Sequence, residues 1–375
     1  MKIIHFLDIE STKFGALDRF IIDLAESMPQ HKFYIIYNNT PTSEPLLAAA
    51  KKAKVELIAI DTSGKKAIRK IPYVAKMFYK IKPDIIHFHF AHGFFMYAPI
   101  AKLLGVKKLY KTQHCCLTTN DMQQIHKKSE FSLKTKLISL NGLTYKIFTK
   151  VIMCSKYIKE QFEEVYEKSD KNETIYSGVK EIKPLTFGEK KALKEQLHIP
   201  ANNTVISTIA FANPIKGVDI LINSLKHIEK KDYTLMIIGL GEQYEFTQNL
   251  QQLATALGVN NNIRWIGITN NVGQYLSISD VYCQPSRSEA LGLAACEAKS
   301  IHLPVIASNI GGLPEVANIT FSVEDDKELA THLAQFIGNK ELCLAEGEKS
   351  YQDYCNSLEL IKAYGNIKIY TNNVT

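Results

Sequence analysis

Two glutamates in the second half of the chain have a spacing that could serve one binding site. Glu289 and Glu297 bracket seven uncharged residues, ALGLAAC. If Gly292 begins a helix, Glu297 lies ~7 Å further along its axis, so the two carboxylates could contact different parts of one extended ligand. Glu297 falls in a mostly apolar segment, where a carboxylate should be paired or bound. The alternative is an ordinary helix with an acidic N-terminal end, which the helix dipole favours.

Lys216 and Gly15 could both approach an anion. Lys216-Gly217 follows the strand-like run TVISTIAF and stands beside a predicted helix N-terminus, where a cation and backbone N–H groups converge. The alternative is a solvated lysine, as most of the 45 Lys and Arg residues must be. Gly15 lies between the first strand and the first helix, where backbone can approach phosphate closely, although a plain turn would explain it equally.

The elements that position these residues alternate between buried strands and amphipathic helices. Each strand-like run is short and nearly continuously apolar, as in buried parallel sheets. The predicted strands are KIIHFLDI, KFYIIYN, VELIAID, DIIHFHF, KLYKTQH and KVIMCS, then TVISTIAF, YTLMIIG, IRWIGI, VYCQPS and PVIAS. Two successive β-α-β series predict two doubly wound sheets, separated by a Gly-, Pro- and Lys-containing linker at 176–191.

Composition excludes several classes of protein. The 375 residues are 46% hydrophobic, and no run of eighteen apolar residues predicts a membrane-spanning helix. We expect no signal peptide at the N-terminus, because His5 and Asp8 interrupt its apolar stretch. Seven scattered cysteines without a Cys-x-x-Cys pair favour reduced thiols over disulfides or zinc. Residues 1–180 hold 29 basic and 17 acidic residues, a net charge of +12, whereas 181–375 carry −5.

An ordered series of motifs runs from residue 205 to residue 316. It comprises IAFANPIKGVDILINSL, MIIGLGEQ, SEALGLAACEAKS and LPVIASNIGGLPEVA. This series resembles the C-terminal domain of the retaining GT-B glycosyltransferases of family 4, also called glycosyl transferases group 1. The family pattern of Glu, seven residues and Glu, with Gly in fourth place, is matched by Glu289, Gly292 and Glu297. The resemblance implies an α/β GT-B fold, in which two Rossmann-like doubly wound domains face each other across a deep cleft.

The N-terminal half matches the same family with two departures. KFGALDRFIIDLA resembles the family's Gly-Gly-x-Glu loop, but Ala16 replaces the second glycine and the acid is Asp18. Phe211 stands where the family usually has an arginine, which removes a charge from the expected diphosphate site. The resemblance implies an acceptor-side domain at 1–180, completed by a crossing tail at 355–375. It implies a nucleotide-sugar-binding domain at 181–354.

The resemblance also implies roles for individual residues toward a nucleotide-sugar donor. Lys216 would stabilise the diphosphate, Glu289 would hold the sugar hydroxyls, and Glu297 would accept hydrogen bonds from the ribose. The expected catalytic residues are Glu289, His114 and Lys216. The expected donor-binding residues are Gly15, Ala16, Asn213, Lys216, Ile268, Glu289, Ala290, Leu291, Gly292, Leu293 and Glu297. We expect no cofactor, because the nucleotide sugar is a substrate. We also expect no metal site, since the absence of an Asp-x-Asp motif argues against a metal-bridged diphosphate.

Three histidines of the first half lie in or at the end of predicted strands. His114 ends the strand KLYKTQH, and the family places such a histidine beside the donor sugar; a strand-end histidine bonded within the protein is the alternative. His87 and His89 face one side of their strand and could bind a metal, but the sequence shows no third ligand at suitable spacing. Packing is therefore the favoured interpretation for this pair.

The reaction geometry is inferred from the resemblance alone. Retention by double displacement would need a carboxylate nucleophile, and none can be assigned in this sequence. Front-side departure and attack, with the leaving phosphate taking the acceptor proton, is the hypothesis.

Two basic amphipathic stretches, 65–82 and 126–150, predict contact with an anionic membrane surface. We expect a cytoplasmic protein attached peripherally to the inner membrane face, with a lipid-linked or cell-surface glycan precursor as acceptor. A solvated lysine face is the alternative. No nucleic-acid partner is expected, because the basic half lacks a known nucleic-acid-binding signature.

The resemblance therefore implies a retaining, metal-independent, hexosyltransferase-type enzyme, and we expect it to prefer a UDP-sugar and to serve capsule, lipopolysaccharide or glycolipid assembly. A catalytically inactive GT-B scaffold is one alternative, and the departures at Ala16 and Phe211 favour it. A nucleotide-sugar epimerase of related architecture is another; it would consume donor without an acceptor.

Overall fold

The computed structural model describes residues 1–11, 14–62, 66–90, 94–116, 143–166 and 168–358. The chain divides into two compact units, the first ending at Ile175 and the second beginning at Tyr176. The sequence placed this boundary after residue 180, and its predicted crossing tail lies, from residue 359 on, outside the described residues. Residues 354–358 form a π-helical turn in the second unit, where Leu358 and Tyr354 both bond to the backbone of Val179.

A seven-stranded parallel sheet forms the centre of the first unit in its described residues. Its strands are β1 (Lys2–Phe6), β2 (Lys32–Tyr37), β3 (Glu56–Ala59), β4 (Ile85–Phe88), β5 (Lys108–Gln113), β6 (Lys150–Met153) and β7 (Asn172–Thr174). Its helices are α1 (Ala16–Ser27), α2 (Glu44–Lys52), α3 (Lys66–Arg69), α4 (Ile71–Ile81), α5 (Phe94–Leu103) and α6 (Lys156–Val165). In the strand order β3-β2-β1-β4-β5-β6-β7, the chain adds β2 and β3 on one side of β1 and then β4 to β7 on the other side, so the order reverses between β1 and β4.

A six-stranded parallel sheet forms the centre of the second unit in its described part. Its strands are β8 (Thr204–Ile209), β9 (Tyr233–Ile238), β10 (Ile263–Gly267), β11 (Val281–Gln284), β12 (Val305–Ser308) and β13 (Ile319–Phe321). Its helices are α7 (Phe187–Gln196), α8 (Val218–Ser224), α9 (Glu245–Ala256), α10 (Val272–Leu276), α11 (Leu293–Lys299), α12 (Asp326–Phe336) and α13 (Lys340–Asp353). The order β10-β9-β8-β11-β12-β13 reverses between β8 and β11.

The α/β fold class predicted from the sequence is confirmed, and all eleven predicted strands are present. Strands such as β4, β9 and β11 are buried along their whole length, which explains their continuous apolar character. The sequence missed β7 and β13, because a three-residue edge strand is too short to show a hydrophobic pattern. In each sheet the order reverses at one point, and loops after the strands there can form a crevice.

The core of the second unit offers a stability test with a built-in reporter. Leu333 on α12 is fully buried in the apolar cluster against which Trp265, the single tryptophan, packs. We predict that Leu333→Ala lowers the free energy of unfolding of this unit by about 2–5 kcal/mol, because it leaves a cavity. Urea titration followed by tryptophan fluorescence measures the change.

Leu344→Ala is the matched control, since Leu344 is 75% exposed on the neighbouring helix α13. This variant should stay within about 0.5 kcal/mol of the parent protein. Equal urea midpoints for the two variants would contradict the described packing of α12.

Candidate functional site

Three loops at the carboxyl ends of β8, β11 and β12 lie in direct backbone contact. Gly217 has a φ of 63°, and a Cβ on it would lie 1.8 Å from the carbonyl oxygen of Pro285. Gly311 has a φ of 61°, and a Cβ on it would lie 1.9 Å from the carbonyl oxygen of Glu289. Only glycine allows this approach, because any side chain would overlap with the neighbouring main chain. The loops after β8, β11 and β12 therefore form one packed surface.

This packing brings Lys216 and Glu289 together across 73 residues of sequence. Lys216 Nζ donates a hydrogen bond to Glu289 Oε2 at 2.7 Å, and the side chains are only 16% and 19% exposed. The sequence predicted a separate ligand contact for each residue, and the structure adds that they contact each other. Such a pair can offer acceptor oxygens to hydroxyl groups and a cation to an anion from the same place.

A chain of buried polar side chains holds Glu289 from behind. The Tyr282 hydroxyl donates to Gln284 Oε1 at 2.5 Å, and Gln284 Nε2 donates to Ser286 Oγ at 2.8 Å. Ser286 Oγ in turn lies 3.5 Å from Glu289 Oε2. Sequence reasoning missed this chain, although polar residues at alternate positions 282, 284 and 286 of an otherwise apolar strand end were a signal for it.

Arg287 fastens the Lys216 loop to the Glu289 loop, and sequence reasoning also missed it. Its guanidinium bonds both carboxylate oxygens of Asp219, at 2.8 and 2.7 Å, and also pairs with Glu324. A further bond of 2.6 Å runs to the carbonyl oxygen of Pro214. Hydrogen bonds to Asp219 and then Glu324 raise the pKa of Arg287 above its ordinary value. Because two carboxylates already neutralise it, Arg287 does not supply the charge that Phe211 removes.

Phe211, which departs from the arginine usual in the family at this position, contributes an aromatic surface. Its ring centre lies 5.2 Å from Lys216 Nζ, which is cation–π distance, and its side chain is 54% exposed. The departure at this position therefore removes a charge and also adds a direct contact with the remaining lysine.

Helix α11 begins where the sequence predicted, after Gly292. Gly292 precedes it with a φ of 94°, and a Cβ there would lie 2.7 Å from Leu313 Cδ2. The backbone N–H groups of Leu291, Gly292 and Leu293 precede the first bond inside the helix, from Cys296 N to Gly292 O. Glu289 lies outside the helix, so it is not the acidic end of an ordinary helix.

Glu297 lies in the middle of α11, with its side chain partly exposed. Burial raises the pKa of the Tyr282 hydroxyl well above its usual value, and the charges of Glu297 and Glu289 raise it further. Both carboxylates therefore act on the same buried tyrosine. Their assignment to ribose and sugar hydroxyls stays a prediction.

The remaining predicted residues of the second unit occupy varied places. Asn213 caps the short turn Pro214–Lys216 and accepts a 2.9 Å bond from Ile215 N, so it shapes the lysine loop. Ala290 continues the Glu289 loop and is partly exposed, whereas Leu291 is buried. Ile268 is exposed after β10, two strands from β8 in the sheet.

In the first unit, the Asp18 carboxylate hydrogen-bonds to the backbone of the Gly15 loop. Asp18 Oδ2 accepts a 2.8 Å bond from Gly15 N, and Asp18 Oδ1 accepts a 2.7 Å bond from the Tyr37 hydroxyl. Burial raises the pKa of Asp18, and these two hydrogen bonds oppose the rise. Gly15 has a φ of −83° and Ala16 begins α1, so neither position needs glycine's left-handed conformation. Ligand binding by either residue stays a prediction.

The histidines of the first unit form a larger cluster than the sequence indicated. His5 on β1 lies beside His87 and His89, and ligand nitrogens of the three lie within 4.8 Å of one another. The expectation that no third ligand was available is therefore wrong, because β1 and β4 are sheet neighbours despite their distance in sequence. His114 bonds to His89, so its side chain belongs to this cluster.

Two family models match the chain, one in each half. Glycosyltransferase Family 4 matches residues 17–181, and Glycosyl transferases group 1 matches residues 189–353, which include Lys216, Glu289 and Glu297.

Curated relatives agree with these matches. An uncharacterized glycosyltransferase of Haemophilus influenzae is 34% identical over 165 residues, which are 42% of this chain and 46% of the relative. The O-antigen biosynthesis glycosyltransferase WclY of Escherichia coli is 23% identical over 276 residues, 72% of this chain and 76% of the relative. The chain spans about half the length of several relatives that it matches, with 46%, 52% and 60% covered in three of them.

A solved structure shares the fold over the whole chain. The crystal structure of HepE from Anabaena in complex with UDP has a TM-score of 0.83 and 18% identity, and the match covers 100% of both chains. At this identity the likeness is one of fold, and it confirms the predicted GT-B class.

The glycine contacts of the three loops lead to a stability prediction. We predict that Gly217→Ala destabilises the second unit by more than the ~1–2 kcal/mol that a left-handed alanine costs, because its Cβ must also displace the Pro285 carbonyl. Gly258→Ala is the matched control: Gly258 has a φ of 69°, and its Cβ would meet nothing within 4 Å. Urea unfolding compares the two, and equal losses would contradict the close loop packing.

Proposed function

Because the chain belongs to the family 4 group 1 glycosyltransferases with the GT-B fold, we propose that it transfers a sugar from a nucleotide-sugar donor to a glycan acceptor. The Lys216–Glu289 pair, at the point where the second sheet reverses its strand order, carries the proposal. We favour a UDP-sugar, supported by HepE structures in complex with UDP and with UDP and glucose. The O-antigen role in WclY's name supports a lipid-linked or cell-surface glycan precursor as acceptor.

Charge development at the reacting bond determines what these residues would do. When the bond from the anomeric carbon to the β-phosphate oxygen breaks, the diphosphate gains negative charge and the sugar gains positive charge. Lys216 would stabilise the diphosphate while Glu289 accepts hydrogen bonds from the sugar hydroxyls. With Phe211 uncharged and Arg287 paired to Asp219, leaving-group stabilisation rests on Lys216 and the N–H groups before α11.

The proposed transfer retains the configuration at the anomeric carbon by front-side exchange. The acceptor oxygen forms a bond to the anomeric carbon, the bond to the phosphate oxygen breaks on the same face, and that phosphate oxygen takes the acceptor proton. Glu297 would bind the ribose hydroxyls and so fix the direction of the donor. We propose hexosyl transfer that requires no metal, so an excess of EDTA should leave the rate unchanged.

A panel of nucleotide sugars tests this function through Lys216. We predict turnover with a UDP-sugar and an acceptor, and a loss of about 10²–10³-fold in kcat/KM for Lys216→Ala, because a preorganised cation is removed from the leaving group. Lys226→Ala is the control, since Lys226 also pairs with a carboxylate, Asp326, at 2.9 Å. Its kcat/KM should stay close to that of the parent enzyme.

Three outcomes would contradict the proposal. UDP binding without turnover of any donor would indicate an inactive scaffold. Consumption of donor without an acceptor would indicate an epimerase. Equal activity of the two lysine variants would contradict the role of Lys216.

An exposed aromatic and basic face supports membrane attachment of the first unit. Helix α4 buries Val74 and Phe78 and turns the opposite stripe, Tyr73, Lys76, Tyr79 and Lys80, to solvent. No acidic residue interrupts the helix. The other predicted basic stretch lies outside the described residues as far as residue 142. In the described ranges, no helix combines the length and apolar character that a membrane span requires.

We propose that this α4 stripe binds anionic lipid at the inner membrane face of a cytoplasmic protein. The double variant Lys76→Glu/Lys80→Glu should bind phosphatidylglycerol vesicles more than about tenfold more weakly, because each lysine near the surface contributes about 1 kcal/mol. Flotation at low and high salt measures it, with Lys51→Glu/Lys52→Glu on the exposed face of α2 as the control. Equal failure of the parent protein to bind phosphatidylglycerol and phosphatidylcholine vesicles would exclude the membrane contact.

A further inference from the structure

Four histidines gather at the carboxyl ends of neighbouring strands in the first unit, where the order reverses between β1 and β4. His5 on β1 is paired in register with His87 on β4, while His89 and His114 directly follow β4 and β5. His5, His87 and His89 are buried, and His114 is partly exposed. His87 stacks on His89 with ring centres 4.1 Å apart and bonds to Thr112 Oγ1 at 2.6 Å. The rings are therefore fixed in place on several sides.

Three of these rings form a continuous hydrogen-bonded chain. His5 Nδ1 lies 3.0 Å from His89 Nε2, and His89 Nδ1 lies 2.9 Å from His114 Nε2. Each contact needs one N–H and one lone pair, and a neutral imidazole carries one of each. The proton on His89 therefore determines the proton on both neighbours. Only two settings satisfy both contacts: all three rings protonated on Nδ1, or all three on Nε2.

The outer ring nitrogen of His5, Nε2, distinguishes between these two protonation patterns. His5 Nε2 is buried and has no hydrogen-bond partner among the described residues. In the Nε2 setting it would be a buried N–H without an acceptor, which is rarer in proteins than a buried acceptor without a donor. The Nδ1 setting leaves only a lone pair there. It makes His114 an acceptor toward His89 and an N–H donor at its other nitrogen.

Burial keeps the three linked imidazoles neutral, and the nearby Lys111 adds to the effect at His89 and His114. Lys111 is buried and donates to the carbonyl oxygens of His89 and Thr112. Burial lowers the pKa of His5 to about 3, and burial together with Lys111 lowers the pKa of His114 to about 3. Burial, and then the neighbouring histidines and Lys111, also lower the pKa of His89. The one-proton-per-ring condition therefore holds at neutral pH.

The histidine cluster suits a series of hydrogen-bonded imidazoles better than it suits a metal site. Both ring nitrogens of His89 are already engaged, with His5 and His114, so His89 has no lone pair directed at an ion. The Lys111 ammonium, when protonated, would also repel a cation bound in the cluster.

We propose that His5 and His89 are positioning residues that hold His114 in its Nδ1–H tautomer, so that His114 presents a hydrogen-bond donor to an oxygen acceptor of the substrate. The substrate clause rests on the proposed function, in which that oxygen belongs to the nucleotide sugar or the acceptor glycan. The tautomer itself does not depend on it. Free imidazole side chains favour the Nε2–H tautomer, so finding the Nδ1–H tautomer in these rings would distinguish the proposal from ordinary histidine behaviour.

NMR of the ligand-free parent protein, labelled with ¹⁵N-histidine at neutral pH, tests the tautomer directly. We expect two-bond ¹H–¹⁵N patterns of Nδ1–H rings for three linked histidines, with ¹⁵N–¹⁵N couplings across both hydrogen bonds. His114→Gln should remove the terminal member and identify the series. Nε2–H patterns for these three rings, or one equivalent of a transition metal in the purified protein, would overturn the proposal.

Activity variants then test the effect on the substrate. His5→Phe removes the first donor, so the His114 pattern should become mixed and kcat/KM should fall about tenfold, the effect of one hydrogen bond. His5→Asn keeps a donor near the Nδ1 position and should restore both readings, and His31→Phe, outside the chain, should change neither. A His5→Phe protein with an unchanged His114 pattern would overturn the proposal. If no donor is turned over yet the NMR pattern is found, the proposed function fails and the tautomer assignment stands.

Discussion

The candidate site depends on the direct contact of main chains in three loops of the second unit. Gly217 lies against the Pro285 carbonyl and Gly311 against that of Glu289, so the loops after β8, β11 and β12 pack without intervening side chains. This contact allows Lys216 to reach Glu289 at 2.7 Å. Arg287 then ties two of the loops together through Asp219. Backbone geometry thus holds the Lys216 and Glu289 side chains together, and the polar side chains behind Glu289 fix its orientation.

Both units use the same architectural feature in different ways. In each parallel sheet the strand order reverses once, and the loops after the strands there gather polar side chains. The second unit places an ion pair at this point, beside the exposed ring of Phe211. The first unit places a neutral chain of imidazoles there, with the buried Lys111 beside it. At this point of its sheet, the second unit thus holds an ion pair and the first unit holds hydrogen-bonded imidazoles.

The departure at Phe211 changes the electrostatics of the site. Arg287 lies close by, but its charge is used by Asp219 and Glu324 and cannot replace the missing arginine. Within this cluster, Lys216 is therefore the cation that can bind an incoming anion. Its ammonium group already donates a hydrogen bond to Glu289. An anionic ligand would have to compete with Glu289 or bind beside it. The half-exposed Phe211 ring, in cation–π contact with Lys216, keeps the ammonium near the loop surface.

The sequence by itself determined the strands, the α/β class, the start of α11 after Gly292 and the family to which the chain belongs. Continuous apolar runs and short motifs are local signals, and each can be recognised without knowing what lies nearby. Only the tertiary structure decided that Lys216 bonds to Glu289 and that His5 joins His89 and His114. These partners are 73 and 84 residues apart and meet because non-consecutive strands are neighbours in the sheet. Such contacts follow from the order of strands in the sheet, and the hydrophobic pattern of a single strand does not reveal which strands lie next to it.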